Sequence, residues 1–259
     1  MGRTICACLS AEERLQLQPV ALQQVELFLL SNAPTRVWGA NQIWYKTEFK
    51  RRAGCGPTVG SHLTWYLSRT RPELAALCDE GAGSKEGMLV QMDEMWNYIT
   101  PGRRGVNSTT MFTDGALRFA QDRGCALEAR VLEIPPFHCR RPSNEEVAGF
   151  LLQALSADAP VAFLNLSNGA LTNLDNWHWV TLVGLDPAAM RATIVDQCHK
   201  FDINLDLWLR TSVGGGGFVA LVQAPVSPES CFRSTQKPGG RPAFFVLFYC
   251  PSRSQATTQ

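Results

Sequence analysis

The sequence carries almost no net charge and has no long run of apolar or basic residues, and each shortage excludes a class of protein. The formal net charge is +1 over 259 residues, and the basic cluster Lys50-Arg51-Arg52 is too short to be typical of a nucleic-acid surface. The longest apolar windows, such as residues 243–250, have the length of a strand and cannot cross a bilayer. No basic-then-apolar signal segment opens the chain. We therefore expect neither a nucleic-acid partner nor insertion into a membrane.

Cysteine is abundant but unpatterned. The nine cysteines lack the regular spacing of a disulfide framework, and no cysteine or histidine pair repeats at the spacing of a zinc site. Residues 214–217 are all glycine, but no Lys-Ser or Lys-Thr follows them as in a phosphate-binding loop. The sequence therefore predicts free thiols, no metal and no other cofactor, in a protein of the reducing cytoplasm. No pattern predicts a particular oligomeric state.

Apolar periodicity predicts helices in the first part of the chain and strands in the last. Residues 11–30 predict a short strand or loop followed by a helix. Further helices are predicted over residues 57–69, 84–100, 113–123 and 144–155. Strands are predicted over residues 160–166, 177–185, 191–196, 218–222 and 243–250. Helices followed by strands predict an α+β fold, in which a helical N-terminal half packs on an antiparallel sheet from the C-terminal half.

No linker-like stretch interrupts the chain, so the sequence predicts a single domain over residues 1–259. Its parts would be an N-terminal segment (1–53), a helical subregion (54–158) and a β subregion (159–250).

The motif at residues 54–58, with the sequence GCGPT, opens the first strongly periodic helix. Pro57 suits the first helical position because its missing N–H is not needed there. The positive end of the helix dipole favours an anion, so Cys55 is a candidate thiolate nucleophile. We expect Gly54 and Gly56 to let a substrate backbone approach closely. The alternative is that Cys55 serves only as a small residue at a helix start.

A thiolate nucleophile needs a base, and the chain has four histidines. His62 lies about 10 Å along the helix from Cys55, too far to accept its proton. His178 is the best candidate because the strand that follows it would hold it in place, although a histidine packed in the core would give the same pattern. Strand alternation places Trp177 and Trp179 on the opposite face, as packing residues or as walls of a substrate cleft.

Asp196 ends the strand that follows the turn at Asp186-Pro187. If the two strands pair through this turn, Asp196 lies alongside His178, close enough to hold one tautomer of the imidazole. A solvated residue at a strand end is the alternative reading of Asp196.

Three segments together resemble the papain-like cysteine peptidase superfamily: residues 54–58, residues 178–186 and residues 194–196. The resemblance is nearest to the double-glycine leader peptidases and their stand-alone bacterial relatives, and it spans residues 54–67 and 160–222, about a third of the chain. It implies a papain-like fold and a peptide or protein substrate. It also implies that Cys55, His178 and Asp196 serve as nucleophile, general base and orienting carboxylate.

One position departs from that family. The family usually has a glutamine six residues before the cysteine, where its amide helps to bind the oxyanion, and here Phe49 stands at that position. Asn41 and Gln42 are the nearest upstream amides, and a longer loop would bring one of them into place. We expect Gln42 to be the donor.

The sequence therefore predicts a cysteine peptidase or amidase that works through an acyl-thioester. Two alternatives remain at this point. The acyl group could pass to an amine, which would make the protein an acyltransferase. The cleft could instead bind peptides without catalysis, which the departure at Phe49 would favour.

Overall fold

The computed structural model of the chain describes residues 18–136 and 140–224, all of which fall in one unit that extends to Ala224. These residues form helices packed on an antiparallel sheet, which confirms the predicted α+β class. The predicted strand over 243–250 lies outside the described residues, and the extent of the domain stays a prediction.

Six α-helices occur in the described residues, together with four short 3₁₀ helices. The α-helices are α1 (Glu48–Ala53), α2 (Cys55–Thr70), α3 (Lys85–Met95), α4 (Thr109–Asp122), α5 (Asn144–Ser156) and α6 (Leu205–Thr211). The 3₁₀ helices are Val25–Phe28, Gln42–Trp44, Pro72–Leu77 and Glu80–Gly83. Side chains of the preceding residues cap several of the helices; Ser143, for example, forms a reciprocal capping box with Glu146, which satisfies backbone donors at the start of α5.

The main sheet is antiparallel throughout and has the strand order β4-β9-β5-β6-β7-β8, with β1 paired to β6. Its strands are β1 (Val20–Ala21), β4 (Leu127–Ile134), β5 (Val161–Asn165), β6 (His178–Asp186), β7 (Arg191–Asp196), β8 (His199–Asn204) and β9 (Gly216–Gln223). A separate hairpin joins β2 (Leu29–Asn32) to β3 (Thr35–Trp38).

Helices cover both faces of the sheet, and strand alternation decides which side chains meet which helix. Helices α2 and α4 pack on one face, where Leu164 and Trp179 join their apolar side chains. Helices α5 and α6 pack on the other face, against Phe163 and Val180. Helix α2 is buried along nearly its whole length, so packing on the sheet holds its first residue in place.

The structure corrects several predicted elements. Strands β4 and β8 were not predicted, and β4 comes from the part of the chain predicted to be helical, so the sheet is not built from the C-terminal half alone. The helix predicted over 84–100 ends at Met95. The predicted helix within 11–30 is only the 3₁₀ turn Val25–Phe28, because the residues that follow pair as β2.

No helix within residues 18–136 and 140–224 is both long enough and apolar enough to span a membrane.

Candidate active site

Cys55 is the first residue of α2 and is buried. The carbonyl of Gly54 accepts hydrogen bonds from the Thr58 backbone N–H at 3.0 Å and from the Thr58 hydroxyl at 2.8 Å, which fixes this turn. The first N–H groups of a helix have no partner inside the helix. They and the helix dipole therefore stabilise negative charge at the Cys55 sulfur.

His178 and Asp196 meet at the ends of two neighbouring strands. His178 is the first residue of β6 and Asp196 is the last residue of β7, and the His178 Nε2 atom lies 2.8 Å from Asp196 Oδ1. The antiparallel register of these strands, in which Thr181 pairs with Val195, creates this arrangement. Since Nε2 faces Asp196, the ring's other nitrogen, Nδ1, remains for a second partner.

Cys55 is the group available to Nδ1, because Cys55 and His178 line the same two cavities and the interaction with Cys55 raises the pKa of the imidazole. Burial by itself lowers the pKa of His178. The hydrogen bonds to Asp196 and Cys55 and the charges of both groups outweigh burial and raise the pKa to about 10. His178 therefore keeps its positive charge through neutral pH, between two groups that carry negative charge when ionised.

Gln42 reaches the same place from a different segment. Gln42 is the first residue of the 3₁₀ helix Gln42–Trp44. The Asn41 side chain caps this helix by accepting a hydrogen bond from the Ile43 N–H at 3.0 Å. The Gln42 Nε2 atom donates to the Arg51 carbonyl at 2.8 Å. Its Oε1 atom is buried and has no hydrogen-bond partner in the described part of the chain.

Helix α1 explains how an amide thirteen residues before Cys55 comes to lie near it. The helix takes up half of the intervening residues, and Gln42 lines two cavities together with Cys55 and His178. Phe49 lies on α1 with 56% of its surface exposed and packs edge-on against Trp96. Phe49 has no donor to offer an oxyanion.

Gly54 and Gly56 do not line the cavities at Cys55, which corrects the prediction that they admit a substrate backbone. A side chain at Gly54 would collide with the Tyr45 ring and the Lys50 carbonyl. A Cβ atom at Gly56 would lie 2.8 Å from Val106. The protein's own atoms occupy the space in front of both glycines, so their role is close internal packing.

The two tryptophans beside His178 have different environments. Trp177 has φ +53° and is 52% exposed, and it lines both of the open cavities at Cys55. Trp179 is buried, its indole N–H donates to the Val106 carbonyl at 2.6 Å, and its ring stacks on Phe112. Of the two predicted roles, packing residue or wall of a substrate cleft, the structure gives Trp179 the first, because its ring is in the core.

Cys55 lies between two open cavities. The larger has a volume of about 720 Å³ and is lined by Arg52, Arg103, Arg104 and Trp177, among others. The smaller, of about 370 Å³, is more polar and is lined by Gln42, Asp175 and His178, among others. A nucleophile between two open cavities has room for an extended chain on both sides.

His62 is a supporting residue that the sequence did not identify. Its Nε2 atom accepts the Ala40 N–H at 2.7 Å, so its proton is on Nδ1 and is donated to the Thr181 hydroxyl at 2.8 Å. These bonds tie α2 to β6 and to the segment that carries Gln42. The signal was present: His62 follows Cys55 by two helical turns and so lies on the same face of α2.

The His62 side chain makes the free energy of unfolding depend on pH. Burial lowers the pKa of His62 to about 3, so below about pH 6.5 the unfolded chain binds a proton that the folded chain does not. This lowers the free energy of unfolding by up to about 1.4 kcal/mol for each pH unit of acidification. We expect His62→Gln, which keeps an acceptor for the Ala40 N–H, to reduce this pH dependence in urea unfolding between about pH 7 and pH 4.5.

His199→Gln is the matched control, because His199 is exposed and its ring bonds only the nearby Gln197 carbonyl. If His62→Gln and the unmodified chain lost stability equally on acidification, the buried neutral state assigned to His62 would be wrong.

Within residues 18–136 and 140–224, no group of three or more His, Cys, Asp or Glu side chains is arranged to hold a metal ion. Cys55, Cys78, Cys125 and Cys198 are free thiols.

No protein-family model and no curated protein matches this chain. Among solved structures, the crystal structure of the Pseudomonas avirulence protein AvrPphB matches with a TM-score of 0.34 and 9% sequence identity. The match covers 68% of this chain and 95% of that chain. A likeness of this size assigns neither a fold family nor an activity.

Proposed function

We propose that the chain is a papain-like cysteine peptidase or amidase. The observation that carries this proposal is the His178 imidazole, whose Nε2 atom lies 2.8 Å from Asp196 Oδ1 and which lines two cavities together with Cys55. The interactions with both groups raise its pKa to about 10. A thiolate and an imidazolium at a helix start are the reactive pair of this chemistry. The resemblance to stand-alone bacterial relatives of the double-glycine leader peptidases, and a cytoplasmic location, belong to the same proposal.

In the proposed reaction, the Cys55 thiolate attacks the carbonyl carbon of the scissile amide, and the carbonyl π electrons move to oxygen. The Cys55 backbone N–H and the Gln42 amide donate hydrogen bonds to this oxyanion. The arrangement leaves Gln42 able to do so, because an amide nitrogen carries two N–H groups and the Arg51 carbonyl takes one.

The intermediate then collapses to an acyl-thioester as the C–N bond breaks. The His178 imidazolium gives its proton to the departing amine and becomes a neutral base. It next removes a proton from a water molecule, whose oxygen attacks the thioester and releases the acid. The Cys55 thiolate and the imidazolium are thereby restored. Asp196 holds the ring through Nε2, which keeps Nδ1 directed at the sulfur and the substrate.

Alkylation by iodoacetamide, read by mass spectrometry, tests the reactive pair before any substrate is known. At about pH 6 we expect Cys55 to react at least about tenfold faster than Cys198, because the His178 imidazolium lies beside Cys55, whereas at Cys198 burial outweighs the attraction of Lys85 and raises the pKa of the thiol. Cys198 is a fair comparison, since it is partly exposed and burial raises its pKa. His178→Ala should abolish the selectivity, and His199→Ala should leave it intact.

Equal reactivity of Cys55 and Cys198 in the unmodified chain would overturn the proposed catalytic pair and favour a peptide-binding protein without catalysis. Selective alkylation followed by amide bond formation with an added amine, in place of hydrolysis, would identify an acyltransferase.

A further inference from the structure

The larger cavity beside Cys55 is positively charged at its rim. Arg52, Arg103 and Arg104 all line it, and none of the described residues that line it is acidic. The molecule as a whole has a formal net charge of only +1. The positive potential at this cavity is therefore a local arrangement and does not follow from the overall composition.

The three arginines have no ion-pair partner among the described residues, whereas other basic groups of the molecule do. Lys50, close to Arg52 in sequence, contacts Asp93 at 2.6 Å, and Arg69 contacts Glu80 at 3.8 Å. Arg52, Arg103 and Arg104 are each exposed. Their guanidinium groups are thus available to a ligand without first breaking an internal salt bridge.

A tight turn presents two of these arginines. The N–H of Gly102 donates to the Gly105 carbonyl at 3.1 Å and the N–H of Gly105 donates to the Gly102 carbonyl at 3.0 Å, so Arg103 and Arg104 occupy the tip. Gly105 has φ +68°, a conformation that glycine adopts at little cost. The closed turn limits the freedom of both arginines before any ligand binds.

The next residue anchors this turn to the candidate active site. The Val106 carbonyl accepts the Trp179 indole N–H at 2.6 Å, next to His178 in β6. The Val106 side chain also fills the space in front of Gly56, the residue after Cys55. The positions of the arginine pair and of the nucleophile are therefore fixed by the same contacts.

The cavity that contains the arginines and Cys55 also has apolar lining residues. Phe49 and Trp177 both line the cavity, with 56% and 52% of their surfaces exposed. Exposed aromatic rings next to guanidinium groups are typical of a surface that binds a partner. They fit a ligand that offers apolar side chains together with negative charge.

We propose that the substrate of this site is an acidic peptide, with Asp or Glu side chains that pair with Arg52, Arg103 and Arg104 and an apolar side chain that packs on Phe49 and Trp177. This inference rests on the proposed function, since it names the substrate class of the same cysteine nucleophile. Guanidinium groups bind carboxylates through two parallel hydrogen bonds in a bidentate geometry. The arginines of the turn would therefore select carboxylate side chains as well as attract negative charge.

Binding is measured first, in Cys55→Ala, by the fluorescence anisotropy of a labelled peptide that alternates glutamate with phenylalanine. Two further peptides carry glutamine or lysine in place of glutamate. We expect the glutamate peptide to bind about tenfold more tightly than the glutamine peptide at low salt, since each exposed charge pair contributes up to about fivefold. The lysine peptide should bind most weakly, and added salt should reduce the difference.

The double variant R103Q/R104Q should remove most of the preference for glutamate. Its matched control is R130Q/R191Q, which changes the net charge equally at two exposed arginines that do not line this cavity. Equal affinities for the glutamate and glutamine peptides, or an equal effect of both double variants, would overturn the acidic-peptide assignment. Displacement by a single-stranded oligonucleotide at a lower concentration than by unlabelled glutamate peptide would also overturn it, in favour of a phosphodiester ligand.

Cleavage of the same peptides by the unmodified chain separates this inference from the proposed function. Tight binding of the glutamate peptide by Cys55→Ala without cleavage or selective alkylation by the unmodified chain would refute the peptidase and leave the acidic-peptide site standing. Cleavage with no preference among the three peptides would refute the acidic-peptide assignment and leave the proposed peptidase standing.

Discussion

Replacing His178 with glutamine is expected to lower kcat/KM for peptide hydrolysis about 10,000-fold, at the upper end of what a general acid–base contributes. The effect is large because one imidazole has three tasks. It balances the Cys55 thiolate, protonates the leaving amine and removes a proton from the attacking water. Glutamine keeps a polar side chain of similar length, so loss of folding is not the expected cause. Peptide hydrolysis followed by mass spectrometry measures the effect.

The pH dependence of the unmodified chain is the companion measurement. Because the pKa of His178 is raised to about 10, hydrolysis should continue into alkaline pH and fall only as the imidazolium loses its proton near that value. His199→Gln should behave like the unmodified chain in both experiments. A His178→Gln rate within about tenfold of the unmodified rate would show that another group transfers the proton.

Replacing Gln42 with alanine is expected to lower kcat about 100- to 1,000-fold, which is the usual loss when one oxyanion donor is removed. The same variant should leave the rate of Cys55 alkylation by iodoacetamide unchanged, because that reaction forms no oxyanion. This combination separates stabilisation of a transition state from formation of the thiolate. His178→Gln, in contrast, should lower both rates.

Asn41→Ser is the matched control for Gln42→Ala. It alters the neighbouring amide while keeping a side-chain acceptor that can cap the 3₁₀ helix Gln42–Trp44. If Asn41→Ser lowered kcat as much as Gln42→Ala, the loss would come from distortion of this segment and Gln42 would not be the donor.

The central elements of the fold were predictable because the sequence patterns that indicate them lie within each element or in the turn that joins two of them. Helix α2 has a clear apolar periodicity and a proline near its start, and β6 and β7 are apolar strands joined by the turn at Asp186-Pro187. A short turn between antiparallel strands fixes the pairing beside it, here Gly184 with Thr193. An irregularity between Leu182 and Gly184 then shifts the register by one residue, so that Thr181 pairs with Val195. The sequence could therefore predict that Asp196 comes near His178, but not the shift that lets their side chains meet.

The strands at the two ends of the sheet gave no such signal. Strand β4 alternates apolar residues with exposed ones such as Glu128 and Arg130, and β8 begins with the exposed residues His199 and Lys200. Edge strands carry charge in this way because one side faces solvent and because charge discourages pairing with other chains. Their pattern is hard to distinguish from that of an exposed helix or loop.

Other features of the candidate site depend on contacts between distant segments, which spacing cannot reveal. Gly56 needs its small size because of Val106. The Arg103-Arg104 pair lies beside Cys55 because Trp179 donates to the Val106 carbonyl and the Val106 side chain packs against Gly56. Residues 72–158 offered no recognisable motif, so nothing in the sequence connected this turn with the nucleophile.

The bonds of His62 hold the segment that carries Gln42 against α2. Gln42 is located by the Ala40–His62 bond on one side and by the Arg51 carbonyl on the other, so the length of chain between Gln42 and Cys55 does not itself set their separation in space. A histidine that takes no part in the proposed chemistry thus sets where the candidate oxyanion donor stands relative to the nucleophile.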